Sequence, residues 1–507
     1  NATAMDFSAG GISTGIRTID LSLNAANNQI QTIAAANNST AYGLAGALNA
    51  NFVPAAASAL TDLNVTILGT GTTDALAITT GALATGITGQ VNLVGFETVT
   101  LGVAAASTVG GFTFGVTAPH PNTQSLTVTS SSATGAVNLG TVTGADTINT
   151  AGVAGVVSLT MGNGGVAGTT FTGGAGLTNI TTSGSTLDQV TTGKGADIIQ
   201  IGGSGSFTGG AGNDTYAVTT TFGVSTITEA ATTVAGGTDT LLLTTAGNTA
   251  TLNAGQGALS GLGIEQFVIT SGGVLTVAPG QFAGGVGTIN TIAAGGLATI
   301  TLATAGVLNV SGLVGTAIAV ATGYTGATGI ATAGIAATTL TLNGTATADT
   351  ITGSATLINI INGNAGADII TGGAAADTIL HVNGDSGIYA TTAATVSSTA
   401  TLDVINVASG DVIDLTAALA TDANYDTFTT AADGANLTPI SATIAVGQFK
   451  GVYNSTANTF TSTATGANAV MLVVNNADAA TNDESIIVVG VIAITDAEIT
   501  NAVITIA

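Results

Sequence analysis

The chain has 507 residues, of which 45% are hydrophobic and only 6% charged, a balance that excludes an intrinsically disordered protein. Three basic residues stand against 27 acidic ones, giving a net charge of −24, which excludes nucleic acid as a partner because phosphate contacts need Lys and Arg. There is no Cys for disulfides, and no apolar run reaches the ~18 residues of a transmembrane helix.

Residues 1–65 form an N-terminal segment that holds the helical candidates. Asn24–Ala50 is rich in Ala and Asn, and Pro54–Leu60 has Pro near its start, as many helices do. The chain begins at Asn1 without an initiator Met, so we expect a processed product. No basic-then-apolar signal peptide opens it, so we expect export to use another signal.

From residue 66 to 183 the pattern becomes short β-branched runs separated by Gly, Thr and Asn, as in SLTVTS and VVSLTM. Parallel strands of a βαβ fold would need helical crossovers, which this spacing leaves no room for. The pattern therefore predicts an all-β fold of stacked β-solenoid or β-sandwich-like strands. Asp74 and Asp146 follow Gly/Thr-rich turns in this region and are candidate metal ligands. Gly95–Val99 and Gly263–Phe267 each place a Glu at a predicted strand corner.

Residues 184–245 contain the first repeat tract, with a period of nine residues. TGKGADIIQ occupies 192–200, and GGAGNDTYA at 209–217 is a full match to the GGxGxDxUx pattern of calcium-binding parallel β-rolls. Phe207 stands at the Asp position of one copy, which predicts a gap in the aspartate row. The candidate calcium-binding residues of this tract are Asp188, Gly193, Gly195, Asp197, Gly210, Gly212, Asp214 and Asp239.

Residues 246–340 return to Gly/Thr/Ala strands, and residues 341–385 form the second repeat tract. GNAGADIIT and GGAAADTIL follow each other directly over 363–380, and a degenerate copy lies at 344–352. The candidate calcium-binding residues here are Asp349, Gly363, Gly366, Asp368, Gly373 and Asp377.

Calcium is the cofactor that these repeats predict. Gly permits turns with positive φ, while turn carbonyls and Asp carboxylates are the hard oxygen ligands that Ca²⁺ prefers. The alternative interpretation is that the repeats are ordinary Asp-Gly turns. We expect Asp403, Asp411 and Asp414, which lie outside the repeats, to be turn residues.

Residues 386–507 contain longer apolar strands such as AVMLVVN and IIVVGV. They predict a C-terminal β cap that covers the open end of the solenoid, since an exposed terminal edge favours aggregation.

Catalytic motifs are missing from the sequence, which predicts a protein that is not an enzyme. The two histidines, His120 and His381, belong to no HExxH motif, and there is no GxSxG elbow or Cys nucleophile. Trp is absent and aromatic residues are 4% of the chain, which argues against a carbohydrate-processing site.

Residues 64–507 resemble the RTX class of calcium-binding bacterial surface-layer (S-layer) proteins. The nonapeptides, the Gly-[Phe/Ile]-Glu strand starters and the C-terminal run from GDVIDL to ITDAEITNAVITIA carry this resemblance. It implies type I secretion directed by an uncleaved signal in the C-terminal cap. It further implies an extracellular location and calcium-dependent self-assembly into a two-dimensional lattice. Members of this class attach to lipopolysaccharide through an N-terminal, largely helical domain, of which residues 1–65 would be at most a remnant.

Two other functions stay open at this point. An RTX adhesin or biofilm-matrix protein would carry the same haemolysin-type calcium-binding repeats and bind a partner instead of tiling. An RTX polysaccharide-modifying enzyme module is the third alternative, since paired carboxylates can perform glycoside chemistry.

Overall fold

The computed structural model describes the strands of the chain and many of the turns between them. The described residues are 5–6, 18–23, 31–36, 49–54, 63–68, 75–79, 87–103, 107–115, 123–132, 134–162, 168–184, 187–218, 222–228, 237–243, 249–252, 264–269, 274–277, 287–291, 297–302, 307–310, 313–315, 335–336, 338–382, 384–387, 395–396, 401–419, 428–430, 446–463, 465–474, 484–495 and 499–507. Within these residues every regular element is a β-strand, and no helix is long and apolar enough to cross a membrane.

The chain divides into two compact units, Asn1–Leu242 with Ala321–Gly329, and Leu243–Val320 with Ile330–Ala507. In the first unit, successive strands alternate between two parallel sheets, so that each coil of the chain contributes one strand to each sheet. With strands numbered in chain order, the first sheet contains β1 (Met5–Asp6), β3 (Gln31–Ala36), β5 (Leu63–Leu68), β7 (Ile87–Val94), β9 (Ser107–Gly115), β11 (Val137–Thr143), β13 (Val157–Met161), β15 (Thr178–Thr181), β17 (Ile198–Ile201), β19 (Thr215–Val218) and β21 (Asp239–Leu243).

The second sheet of this unit is built from the strands between them. It contains β2 (Thr18–Leu23), β4 (Asn49–Pro54), β6 (Ala75–Thr79), β8 (Thr98–Val103), β10 (Ser125–Ser130), β12 (Thr147–Gly152), β14 (Thr170–Thr172), β16 (Asp188–Thr191), β18 (Gly205–Thr208) and β20 (Phe222–Ile227).

The second unit has the same winding. One sheet contains β22 (Thr249–Leu252), β24 (Val274–Val277), β26 (Leu297–Leu302), β30 (Thr339–Asn343), β32 (Ile358–Asn362), β34 (Thr378–Leu380), β37 (Val412–Asp414), β44 (Val503–Thr505) and β43 (Ile499–Thr500). Its parallel partner sheet contains β27 (Val307–Asn309), β31 (Thr350–Thr352), β33 (Ile369–Thr371) and β36 (Asp403–Asn406). A further group contains β23 (Ile264–Ile269), β25 (Gly287–Thr291), β28 (Leu313–Gly315) and β29 (Ile335–Ala336).

The C-terminal strands continue that partner sheet from β36 and are mostly antiparallel. They are β42 (Glu484–Val489), β41 (Ala469–Val474), β39 (Val446–Asn454), β40 (Thr459–Ser462), β35 (Thr395–Val396) and β38 (Phe428–Thr430). All six residues of β41 are buried, and Phe449, Met471 and Ile487 share one apolar cluster. The continuous apolar runs in this region therefore form a sheet covered on both faces.

The core is made by alternate residues of the parallel strands. In the second sheet of the first unit, the inward positions form one column in which every side chain is at most 2% exposed: Val99, Leu126, Ile148, Phe171, Val190, Phe207 and Ile227. Burying each such side chain contributes roughly 1.5–3 kcal/mol, so repetition supplies the core that a chain without disulfides needs. The prediction of an all-β, stacked β-solenoid fold is confirmed.

The helix predicted over Asn24–Ala50 is wrong where the structure describes it. Gln31–Ala36 is strand β3, which pairs in parallel with Leu63–Leu68, and Asn49 and Ala50 begin strand β4. Asn and Thr are weak helix formers, and a neighbouring coil offers this segment a hydrogen-bonded ladder instead. Pro54 ends β4, and residues 55–60 lie outside the described part of the chain.

The outward residues of β8, β10, β12, β14, β16, β18 and β20 form a second regular feature, which we call the threonine face. Parallel pairing aligns them in two columns on either side of the buried column. The fourteen positions include ten threonines and no charged residue: Thr98, Ser125, Thr147, Thr170, Gln189, Ser206 and Thr226 in one column, and Thr100, Thr127, Asn149, Thr172, Thr191, Thr208 and Thr228 in the other.

Candidate calcium site

The repeat aspartates stack in columns, each one residue before a strand or at its first residue. In the first tract the column is Thr178, Asp197, Asp214 and Asp239, because Ile198 pairs with Thr215 and Asn179 with Ile198. In each step the backbone N–H of one coil donates to the Oδ1 atom of the aspartate on the next coil. The N···O distances are 2.5 Å for Thr178 to Asp197, 2.7 Å for Asp197 to Asp214, and 2.7 Å for Asp214 to Asp239.

The second tract has two such columns. Asp349, Asp368 and Asp403 form one, with N···Oδ1 distances of 2.8 and 2.9 Å. Asn359, Asp377 and Asp411 form the other, with distances of 2.7 and 2.9 Å. These N–H groups lie where the chain turns into a strand, and a carboxylate from the neighbouring coil satisfies them. The aspartates are therefore first of all hydrogen-bond acceptors that join successive coils.

The second carboxylate oxygen divides the aspartates into two groups. In the first group it is also hydrogen-bonded within its own turn. Asp188 Oδ2 accepts from the Ser183 N–H and hydroxyl at 3.0 and 2.6 Å, and Asp197 Oδ2 accepts from the Gly193 N–H at 3.1 Å. Asp349 Oδ2 accepts from the Thr345 N–H at 2.6 Å and from its hydroxyl at 2.9 Å.

In the second group this oxygen is buried without a hydrogen-bond partner among the described residues. The three atoms are Oδ2 of Asp214, Asp368 and Asp377, and these side chains are at most 1% exposed. Burial raises the pKa of Asp214 to about 7 and that of Asp368 to about 8, with charge repulsion from neighbouring aspartates adding to the effect. Burial also raises the pKa of Asp377. Such an oxygen needs a proton or a cation to offset its desolvation.

The predicted glycines form stacked columns beside the aspartates. A Cβ atom at Gly210 would collide with the Gly193 carbonyl, and one at Gly212 would collide with the Gly195 carbonyl. Gly373 is stacked in the same way on the Ser354 carbonyl. Only a residue without a side chain permits this approach of backbone to backbone.

Glycine is also needed within the turns of the second tract. A Cβ at Gly363 would collide with Asp368 Oδ2, so the unpartnered oxygen lies directly against the turn. Gly366 has φ of 148° and Gly212 has φ of 136°, and both occupy the fourth position of their repeat. The repeat therefore places carbonyl oxygens and a carboxylate in one small region.

A metal ion would have to take most of its ligands from the backbone. Among the described residues, no group of three or more His, Asp or Glu side chains comes together in a way that could hold a metal ion. Calcium accepts six to eight oxygen ligands, including carbonyls. The buried Oδ2 atoms of Asp214, Asp368 and Asp377 beside glycine turns fit that chemistry, whereas the Oδ2 atoms of Asp188, Asp197 and Asp349 are already hydrogen-bonded within their own turns.

The single aspartates outside the repeats differ from these. Asp146 follows Gln124 in a column of the second sheet, and its Oδ2 accepts the Gln124 N–H at 2.8 Å. Thr169 and Asp188 continue that column, with the Thr169 N–H donating to Asp188 Oδ1 at 3.1 Å. Asp74 lies outside the described residues.

The gap predicted at Phe207 exists, but a different residue makes it. Gly205 pairs with Asp188 and so occupies the aspartate column, while Phe207 pairs with Val190 and is fully buried in the core. The aspartate position of the copy at 202–207 is its fourth residue and not its sixth, so counting to the sixth position selects the wrong residue.

Asp403 and Asp411 were predicted to be turn residues, and the structure places both in the aspartate columns of the second tract. Asp403-Val-Ile and Asp411-Val-Ile repeat the Asp368-Ile-Ile pattern, and this signal could have identified them. The excursions of 35 and 34 residues that precede them conceal the periodicity.

A buried charge cluster joins the end of the second tract to the C-terminal sheet. His381 is 2% exposed; its Nε2 atom is 2.6 Å from Glu484 Oε2, and its Nδ1 atom is 3.6 Å from Asp403 Oδ2. The Gly384 N–H donates to the other oxygen of Glu484. Burial alone would lower the His381 pKa, but the two carboxylates outweigh it and raise the pKa to about 9. The sequence context of His381 did not indicate this buried role.

No family model matches the chain, and no curated protein or solved structure matches it either.

Proposed function

We propose that the chain is a structural subunit of a calcium-dependent extracellular surface layer. The observation that carries the calcium part is the set of three buried carboxylate oxygens, on Asp214, Asp368 and Asp377, that have no hydrogen-bond partner among the described residues. All three belong to the repeat columns, and all three lie in turns built from glycine. Of the repeat aspartates, these are the ones whose second oxygen is left unsatisfied by hydrogen bonds within the described part of the chain.

Calcium would supply positive charge to these carboxylates when bound. Asp214, Asp368 and Asp377 would hold it together with carbonyls of the neighbouring turns, including those of Gly193, Gly195 and Ser354. Because the columns exist only when successive coils are stacked, binding and folding would be coupled. One site filled at ~1,000 times its dissociation constant stabilises the folded chain by about 4 kcal/mol.

Assembly into a layer is supported by charge and by architecture. A net charge of −24 opposes close packing of copies unless cations lie between them. A solenoid with a low content of charged side chains offers long regular faces for lateral contact. The resemblance to RTX surface-layer proteins adds export by type I secretion, a cell-surface location, and lipopolysaccharide or another surface glycan as the anchor.

Electron microscopy of the full chain at matched Ca²⁺ and Mg²⁺ concentrations tests this proposal. We expect an ordered lattice with calcium, its loss on chelation with EGTA, and its return with Ca²⁺ but not with Mg²⁺. A protein that stays monomeric at millimolar calcium and high concentration would contradict the layer and favour the adhesin. Turnover of an anionic polysaccharide would favour the enzyme module.

A further inference from the structure

The threonine face differs from the rest of this acidic chain because it carries no charge over seven consecutive rungs. Among the described residues, the acidic side chains beside the face lie at the starts of its strands and are buried or hydrogen-bonded. Asp146 accepts a backbone N–H, Asp188 is 1% exposed, and Glu97 is 7% exposed. The face itself presents hydroxyl and methyl groups only, apart from one Asn and one Gln.

The face is also regular and stiff. Its rungs are ~4.8 Å apart, so seven of them span about 29 Å, and the two columns are ~6.7 Å apart along the strands. Fully buried side chains lie directly beneath, and Thr has a restricted χ1 angle, so little side-chain entropy is lost when the face is covered. Parallel columns of hydroxyls can donate to and accept from an identical array.

The sheet that carries the threonine face shifts register past Thr127, outside the face, whereas the opposite sheet is irregular at other positions. Strand β11 shifts register between Asn138 and Thr141 against both of its neighbours, and Gly140 has φ of 57°. Further along the opposite sheet, the apolar side chains of Ile198 and Ala217 are buried. The two faces of one unit therefore offer an internal comparison.

We propose that the threonine face is the surface through which two copies of this chain dock, each using the same face. Charge selects this face for a second copy: elsewhere two chains with a net charge of −24 bring like charges together, whereas two threonine faces bring together only hydroxyl donors and acceptors. The contact is isologous and closes as a dimer, so a layer needs a second, calcium-dependent surface for extension. Pairing through the threonine face does not depend on the proposed function; only the role of this pairing within a surface layer rests on it.

The area of the face determines how strongly two copies are expected to associate. A strip about 29 Å long and one short strand wide falls below the ~800 Å² per partner of a stable interface. We therefore expect weak pairing, detectable at high protein concentration and strengthened by multiple contacts within an array.

Two variants with matched chemistry test the contact. Thr172→Glu with Thr191→Glu places two charges on adjacent rungs of the threonine face, where these residues are paired. Thr160→Glu with Thr181→Glu does the same on the opposite sheet, where those residues are paired as well. Like charges opposite each other weaken both sheets by a similar amount, so comparable melting temperatures are expected.

Sedimentation equilibrium of the full chain in EGTA, at increasing protein concentration, measures pairing without calcium. We expect wild type and the Thr160/Thr181 variant to dimerise, and the Thr172/Thr191 variant to lose at least tenfold in association. Equal association of all three proteins, equal loss in both variants, or a wild type that remains monomeric would overturn the inference. Ice-crystal shaping by a monomeric wild type, lost only in the Thr172/Thr191 variant, would assign the face to ordered water and not to a second copy.

The same samples separate this inference from the layer. A wild type that dimerises through the threonine face but forms no lattice with calcium contradicts the proposed function and leaves the docking surface standing. A lattice that forms equally well from all three proteins contradicts the docking surface alone.

Discussion

The two repeat tracts share one motif but end differently. In the first tract, the column of Asp197, Asp214 and Asp239 ends with a step of 25 residues from Asp214 to Asp239. The neighbouring column is interrupted at Gly205. In the second, both columns continue without a gap into Asp403 and Asp411. Asp403 is also the partner of His381, which contacts Glu484 of the C-terminal sheet. The same repeat thus gives an isolated set of turns in one place and a set tied to a neighbouring sheet in the other.

This difference shows what the nonapeptide alone specifies. It specifies a stacked turn with a buried carboxylate, but the satisfaction of its second oxygen depends on neighbouring residues. Ser183 and Thr345 supply hydroxyl donors to Asp188 and Asp349, while Asp214, Asp368 and Asp377 have no such donor among the described residues. We therefore expect calcium to act at selected rungs and not along whole columns.

The largest effect is expected from Asp368→Asn combined with Asp377→Asn. Asn359 already occupies an aspartate column, so Asn keeps the acceptor for the backbone N–H and removes the unpaired charge. We expect the variant to lose about 4 kcal/mol of calcium-dependent stabilisation for each site removed, at a calcium concentration ~1,000 times the dissociation constant. Calcium-dependent thermal unfolding, followed by circular dichroism, measures this.

Asp349→Asn is the matched control, because Asp349 Oδ2 already accepts hydrogen bonds from the Thr345 N–H and hydroxyl. Its calcium response should stay close to that of the wild type. A larger loss from Asp349→Asn than from the Asp368/Asp377 pair would contradict the division into two groups of aspartates.

The second effect is a pH dependence of the metal-free protein. The pKa values of Asp214 and Asp368 rise from 3.8 to about 7 and about 8 on folding, so between these limits the folded chain binds more protons than the unfolded one. Its stability in EGTA should therefore fall as pH increases from about 4 to about 8, opposite to ordinary acid denaturation. Saturating calcium should abolish this slope and release protons on binding. A metal-free melting temperature that rises over this range would contradict the assignment.

The third effect concerns the link between the second tract and the C-terminal sheet. His381→Ala leaves Glu484 and Asp403 as buried, unpaired carboxylates, and breaking a buried ion pair costs about 3–5 kcal/mol. Hydrogen exchange should show the loss first in strands β36, β41 and β42. The double variant His381→Gln with Glu484→Gln removes both charges and keeps a hydrogen bond, so it should recover part of the stability.

The His381 cluster also has its own alkaline limit. Its pKa is raised from 6.5 to about 9, so its contribution is complete below pH 6.5 and is lost as pH passes about 9. The groups that face it are Glu484 and Asp403, with Asp385 nearby, whose pKa is raised by burial. His381→Gln should therefore flatten the stability profile between about pH 6.5 and about 9 and leave the part below pH 6.5 to the aspartates.

The sequence predicted the features that repeat locally. Short β-branched runs and glycine turns gave the parallel solenoid. The nonapeptide copies identified the repeat aspartates that the structure places in the columns before residue 380, apart from Asp239, which follows Asp214 after 25 residues. It failed where the partner is distant: Asp403 and Asp411 return after 35 and 34 residues, and Glu484 lies 103 residues from His381. Asn24–Ala50 failed for a related reason, because pairing with neighbouring coils overrides weak helix propensity.

The smallest effect tests why the first tract keeps its gap. A Cβ at Gly205 would collide with the Asp188 carbonyl and with the ring of Phe207, so this rung cannot accept a side chain without moving the backbone. Gly205→Ala should therefore lower stability by about 1–3 kcal/mol, and Gly205→Asp should destabilise the chain further instead of completing the column. Ser206→Ala, on the exposed side of the same strand, is the control and should stay within about 0.5 kcal/mol of wild type. A Gly205→Asp variant with a stronger calcium response than wild type would show that the gap reflects a missing carboxylate and not the close stacking of Phe207 against its own turn.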